Sequence, residues 1–237
     1  TLCDGGKAWS VAESQAIRYL LDQCLELSES RIYEAWSSVH DELLAKLRTG
    51  GLTMAAVRDR RFKDTLAKLG VPDDGFAEQL GLVLGEAYLA NLELYEDTAV
   101  LDELRADFYV GIVTNGAADD CADSQHTKIH HLGLAERVDG IWISDAVGVR
   151  KPDPRIFVAA CAGASVSPAE AAFVGNSVQI DIVGANRAGL EAILLDRSNR
   201  LPSNGDSEAH PAYRITDLRE IPGILTGGRS STGDLGC

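Results

Sequence analysis

The first 95 residues carry apolar positions at helical spacing. From Ala8 to Leu27 these are Val11, Ile17, Leu20, Leu21, Cys24 and Leu25, which predicts one amphipathic helix. A second helix is expected from Ser30 to Leu47, with Ile32, Trp36, Val39, Leu43 and Leu47 turned inward and a stop at Gly50-Gly51. A third follows Thr53, whose hydroxyl suits an N-cap, and ends at Gly70 ahead of Pro72. A fourth starts near Asp73-Asp74 and carries Phe76, Leu80, Val83, Leu84, Ala87 and Tyr88. No stretch here alternates as a strand does.

From about Asp97 the pattern changes. Short runs rich in apolar and β-branched residues appear at Tyr109 to Thr114, Gly140 to Ile143, Ala171 to Val174 and Ala192 to Leu195, with helical stretches between them. Strands alternating with helices imply a parallel sheet. Such sheets collect ligands at the carboxyl ends of their strands, so chemistry is sought directly after each run. Leu201 to Pro211 is polar and rich in Ser, Asn, Gly and Pro, and predicts a loop. The Gly- and Ser-rich end from Thr226 to Cys237 predicts a disordered tail.

Composition narrows the class. With 237 residues, 45% of them hydrophobic and 24% charged, the chain can bury one core plus a smaller satellite. No apolar run is long enough to span a bilayer, and no basic flank precedes an apolar stretch at the start, so a cytoplasmic location is expected. Twenty-two Lys and Arg against thirty-six Asp and Glu leave a formal charge of −14. That charge argues against nucleic acid and anionic membranes as partners, and a phosphorylated substrate would need a local cation or metal to reverse the field. The five cysteines (Cys3, Cys24, Cys121, Cys161, Cys237) are odd in number and scattered, as reduced thiols are. Position 1 is Thr and the only methionine is Met54, so residues before Thr1 are expected.

Three segments at strand ends carry candidate chemistry. Thr114-Asn115-Gly116 offers a hydroxyl and backbone N–H groups to an anion, although Asn-Gly is also an ordinary turn pair. Lys151 stands before Pro152-Asp153-Pro154, where Pro154 is placed to open a helix; an isolated lysine is more often a solvated surface charge. Asn176 and Asp181 are oxygen donors of the kind magnesium prefers, or else a turn closer and a helix cap. His126 and His130 have the i, i+4 spacing of a metal pair, with His131 beside them, but no third zinc ligand is evident and surface histidines are the expectation. Gly184 to Gly189 has no Lys-Ser or Lys-Thr after it, which rejects a nucleotide P-loop, and no Gly-x-Ser-x-Gly elbow exists. Trp9, Trp36 and Trp142 are expected to pack rather than to cage a ligand.

Taken together and in order, these segments resemble the core of the haloacid dehalogenase superfamily from Tyr95 to about Arg197. The family's strand followed by Ser or Thr is similar to Ile112-Val113-Thr114-Asn115-Gly116. Its lysine-before-proline run is similar to Gly148 to Phe157, and its fourth motif is similar to Val174 to Gly189. The resemblance implies an α/β fold, a Rossmann-like parallel-sheet core with an inserted all-helical cap. Residues 1–7 and 95–225 would form the core and 8–94 the cap. It also makes Thr1-Leu2 the end of the family's first motif, so that a nucleophilic and an acid/base aspartate precede Thr1 by four and two residues.

The activity implied is a magnesium-dependent phosphatase acting on a small phosphorylated metabolite through an aspartyl-phosphate. Thr114, Asn115 and Gly116 would hold phosphoryl oxygens, Lys151 would offset charge, and Asn176 and Asp181 would face the metal. Asn176 departs from the pattern, because phosphatases of this family usually have Asp there. A metal-independent haloacid dehalogenase and a catalytically inactive binding protein on the same fold remain as alternatives.

Overall fold

The computed structural model describes residues 1–122, 124–199 and 209–227. They gather into two compact units. Asp4–Glu93 with Gly116–Leu132 form a helical unit, and Thr1–Cys3, Leu94–Asn115 and the described residues from Gly133 onward form an α/β unit.

In the helical unit α1 (Gly5–Gln23), α2 (Glu29–Arg48), α3 (Met54–Leu69) and α4 (Phe76–Ala90) follow one another. Their starts are written locally. Asp4, Ser28 and Thr53 each accept a hydrogen bond from a backbone N–H three residues on, closing donors that a helix start leaves open. The end of α3 is set by Gly70 at φ 77°, where the Val71 N–H donates back to the Leu66 carbonyl. The inward positions are those the spacing predicts: Ile32, Trp36, Val39, Leu43 and Leu47 of α2 are all buried. Helix α1 packs chiefly on α4, and α2 on α3.

The α/β unit contains α5 (Val100–Leu104) and β1 (Gly111–Thr114), and, beyond α6 (Gln125–His131) of the helical unit, β2 (Gly140–Ile143) and α7 (Ser144–Val147). Helix α8 (Pro154–Gly163), β3 (Ala172–Gly175), α9 (Val183–Ala188), β4 (Glu191–Leu195), β5 (Tyr213–Ile215) and α10 (Ile221–Gly227) complete it. Among the described residues the strands pair in parallel, β1-β2 in one sheet and β3-β4-β5 in another, beside one isolated antiparallel bridge between Cys3 and Leu94.

Strand β4 explains why both faces of its sheet must be covered. Successive residues point to opposite sides, and Ala192 and Leu194 lie in one core with Ile156, Phe157, Cys161 and Ala185. Ile193 and Leu195 lie in another with Val100, Leu104, Ile215, Leu218 and Ile221. A strand buried on both sides has no polar face, hence its unbroken apolar run.

Three expectations change. The first strand begins at Gly111 rather than Tyr109, and the Val110 N–H ahead of it is taken by the Asp139 carboxylate instead of a ladder partner. Strand β5 has no counterpart in the sequence reading, since three residues are too few to show alternation. Thr226 and Gly227 belong to α10; the remainder of the expected tail, 228–237, and most of the expected loop, 201–208, lie outside the described residues.

Candidate active site

Lys151 lies between α7 and α8, and its backbone is fixed from β1. The Asn115 amide, directly after β1, donates through Nδ2 to the Lys151 carbonyl (2.9 Å), and its Oδ1 accepts from the Lys151 N–H (2.8 Å). Downstream, Asp153 caps α8 and Pro154 occupies its first turn, where a missing N–H costs nothing. The side chain is fixed from the far side. Lys151 Nζ donates to Asp181 Oδ1 at 2.7 Å, and it stands 5.2 Å from the centre of the Phe173 ring.

Asp181 sits in a single π-type turn, Val178–Ile182, that follows β3. Such turns are rare and often mark functional sites. Its Oδ2 accepts the Ser177 N–H at 3.0 Å, so both carboxylate oxygens are engaged. Gly175 is required beside it, since a Cβ there would run into the Asp181 side chain. The Lys151 and Asp181 side chains are only 11% and 7% exposed. With so little water between them their attraction is strong, and each is the other's main compensation for lost hydration.

Asn176 is exposed, and its Oδ1 accepts a hydrogen bond from the Thr1 hydroxyl at 2.6 Å. Thr1 is also held from its carbonyl, which accepts from Arg197 Nη2 at 2.9 Å.

Arg197 was not singled out by sequence. Its guanidinium spans both oxygens of the buried Asp97 (2.6 and 3.0 Å) and lies 4.0 Å from the centre of the Tyr95 ring. Asp97 also accepts the Leu218 N–H. Nothing local marks either residue, because they lie a hundred positions apart and only the fold pairs them.

Contacts therefore join Asn115 to Lys151 and Lys151 to Asp181, while Asn176, between β3 and that turn, is bonded to Thr1. Thr114 is the last residue of β1, half-buried and in register with Ile143. Gly116 is the first residue of its stretch of the helical unit; its φ is 151°, and a Cβ there would meet the Gln125 side chain at 2.5 Å. That position admits glycine and little else. Elsewhere on that stretch, His126 and His130 are ring neighbours 4.6 Å apart on α6, and His131 is exposed.

As donors, the Asn176 amide oxygen and the Asp181 carboxylate are hard oxygens five residues apart after β3, of the kind a hard cation takes as part of a ligand set. Among the described residues no three His, Cys, Asp or Glu side chains cluster to complete one.

The haloacid dehalogenase-like hydrolase model matches residues 1–189. The phosphoserine phosphatase of Thermus thermophilus is 35% identical over 189 residues, 78% of this chain and 73% of that one. The glyceraldehyde 3-phosphate phosphatase of Methanopyrus kandleri is 30% identical over 233 residues, 95% of this chain and 93% of that one. Among solved structures, a 2-haloacid dehalogenase from Pseudomonas syringae pv. Tomato DC3000 superposes with a TM-score of 0.72 at 26% identity, covering 96% of this chain and 95% of the other. A lysine-carboxylate pair shielded from water, a family match over most of the chain and relatives with hydrolytic activities converge on one assignment: this chain is an enzyme of the haloacid dehalogenase-like hydrolase family.

Proposed function

We propose that the protein is a phosphatase acting on a small phosphorylated metabolite, with the residues before Thr1 supplying an aspartate nucleophile. The observation that carries this reading is the linked set Asn115–Lys151–Asp181, with Thr1 bonded to Asn176 directly after β3. The relatives act on phosphoserine and on glyceraldehyde 3-phosphate, which supports a small phosphomonoester.

In this mechanism the carboxylate attacks phosphorus, the P–O bond to the leaving alcohol breaks, and the alcohol takes its proton from the acid/base aspartate expected two residues before Thr1. Water then hydrolyses the aspartyl-phosphate. Thr114 and the N–H groups of Asn115 and Gly116 hold the phosphoryl oxygens, and Lys151 offsets charge that builds in the transition state. Asp181 keeps the Lys151 side chain aimed, and Asn115 keeps its backbone in place. Asn176 and Asp181 would hold magnesium, which when bound neutralises the charge of carboxylate and phosphate oxygens. The helical residues 8–94 act as a cap that selects the substrate, on a core of 1–7 and 95–225.

A second reading, a metal-independent dehalogenase, is favoured by one observation: Asn176 stands where a carboxylate would strengthen a metal site. The test uses the protein carrying the residues that precede Thr1, assayed for phosphate release from an aryl phosphate and for halide release from a short haloacid, each with and without chelator. Phosphate release abolished by Lys151→Ala, in a protein that remains folded by circular dichroism, is the expected result. Halide release that survives chelation, without phosphatase activity, would replace this reading by the second, and silence in both assays would make the protein non-catalytic.

A further inference from the structure

Helix α6 carries His126 and His130 one turn apart on a single face. Their ring centroids are 4.6 Å apart and the rings are inclined at 60°. A ligating imidazole nitrogen lies about 2.1 Å from its metal, which puts a shared ion about 3.2 Å from each ring centre. Two centres 4.6 Å apart then subtend close to a right angle at that ion. Neighbouring positions of a square-planar or octahedral ion have that angle, whereas a tetrahedral ion would spread the two centres to about 5.2 Å.

A second observation bears on the same pair. Asp120 Oδ1 lies 3.4 Å from His126 Nδ1. A carboxylate behind one ring nitrogen favours the tautomer that leaves Nε2 bare for a metal. His131, five residues from His126, is turned away from this face.

We propose that His126 and His130 form a two-histidine chelate for a tetragonal first-row dication such as nickel or copper, with water in the remaining positions. Among the described residues no third His, Cys, Asp or Glu joins them, so the affinity is that of two nitrogens and no more. The formal charge of −14 draws dications toward the protein generally, and the imidazole donors choose a softer ion than the oxygens of Asn176 and Asp181 do. Binding also has a structural consequence. Helix α6 spans seven residues, of which only Ile129 is buried. An ion clipping one turn to the next stabilises a short element that its own packing holds weakly, and shifts unfolding by mass action.

The test is calorimetric titration of nickel and of copper into the untagged chain in excess magnesium, with copper paramagnetic resonance and thermal unfolding in parallel. Saturable binding of one ion, an axial copper signal and a raised unfolding temperature are expected. His126→Ala and His130→Ala should each weaken binding by at least about tenfold and remove the thermal shift. Asp120→Asn should weaken it by about tenfold, and His131→Ala should leave it unchanged. Absence of saturable binding, or binding that survives both His126→Ala and His130→Ala, would overturn the site. A copper signal of tetrahedral type would overturn the geometry. None of these outcomes depends on whether the protein is a phosphatase.

Discussion

Lys151 is held at both ends, its backbone by the Asn115 amide and its ammonium by Asp181. Removing either charge alone leaves the other buried and uncompensated, which costs roughly 3–5 kcal/mol, so activity measurements on such variants need a folding control. Asn176 is the residue at which the metal question turns. Its amide oxygen can coordinate, but it brings no charge to an ion held mainly by electrostatics. Asn176→Asp should tighten magnesium binding by about tenfold or more, corresponding to about 1.4 kcal/mol. Calorimetry of magnesium binding to the two proteins checks this directly, and equal affinities would remove Asn176 from the ligand set.

His40 makes a pH prediction at the same scale. Burial holds it below its ordinary value of 6.5, and the Arg61 guanidinium lowers it further, against smaller opposing effects of Glu13 and Asp41. Its ring lies between Trp9 and Trp36, each 6.0 Å away. A histidine depressed in the folded state binds its proton more readily when unfolded. Its contribution to stability is therefore complete above about pH 6.5 and is lost as pH falls through that value toward the folded one. Thermal unfolding followed from pH 8 to pH 5 should show a drop that His40→Gln reduces. An unchanged slope in that variant would mean that other groups carry the acid sensitivity.

At the scale of elements, three glycines make room for one indole. Trp142 of β2 packs where a Cβ on Gly111, Gly140 or Gly163 would collide with it, at 2.8 Å for Gly111 and 2.5 Å for Gly163. Gly111 and Gly140 are register partners across β1 and β2, so the two strands and the end of α8 close over the same ring. Gly140→Ala forces the indole off its position, and overpacking of this kind costs about 1–3 kcal/mol. Chemical denaturation should show a lower midpoint with an unchanged slope; a midpoint equal to wild type would mean that the ring has another place to go.

For the whole molecule the formal charge of −14 sets the approach of an anionic substrate. Lys151 is local and already paired, so the long-range field stays negative and opposes a phosphomonoester dianion. Salt screens that repulsion, with a Debye length of about 30 Å at 0.01 M and about 8 Å at 0.15 M. At fixed magnesium, kcat/KM should therefore rise with ionic strength across this range while kcat changes little. A fall in kcat/KM would mean that the entrance to the site is locally positive.

The residues themselves determined the helical first half, because amphipathic spacing and the caps Asp4, Ser28 and Thr53 act within a few positions of one another. They also determined four of the five strands among the described residues, whose short runs of apolar and β-branched residues can be read locally, and the three strand-end segments, where turn chemistry is local. Tertiary structure decided the rest. Only the fold brings Asn115 to Lys151, Lys151 to Asp181, and Arg197 to Asp97 and Thr1, across separations of 36, 30, 100 and 196 residues. Strand β5 needed it too, since its three residues become a strand by pairing with β4 and carry too short a pattern of their own. Local sequence encodes which backbone a segment adopts; the partners of a buried charge are set by which segments the sheets and helices bring side by side.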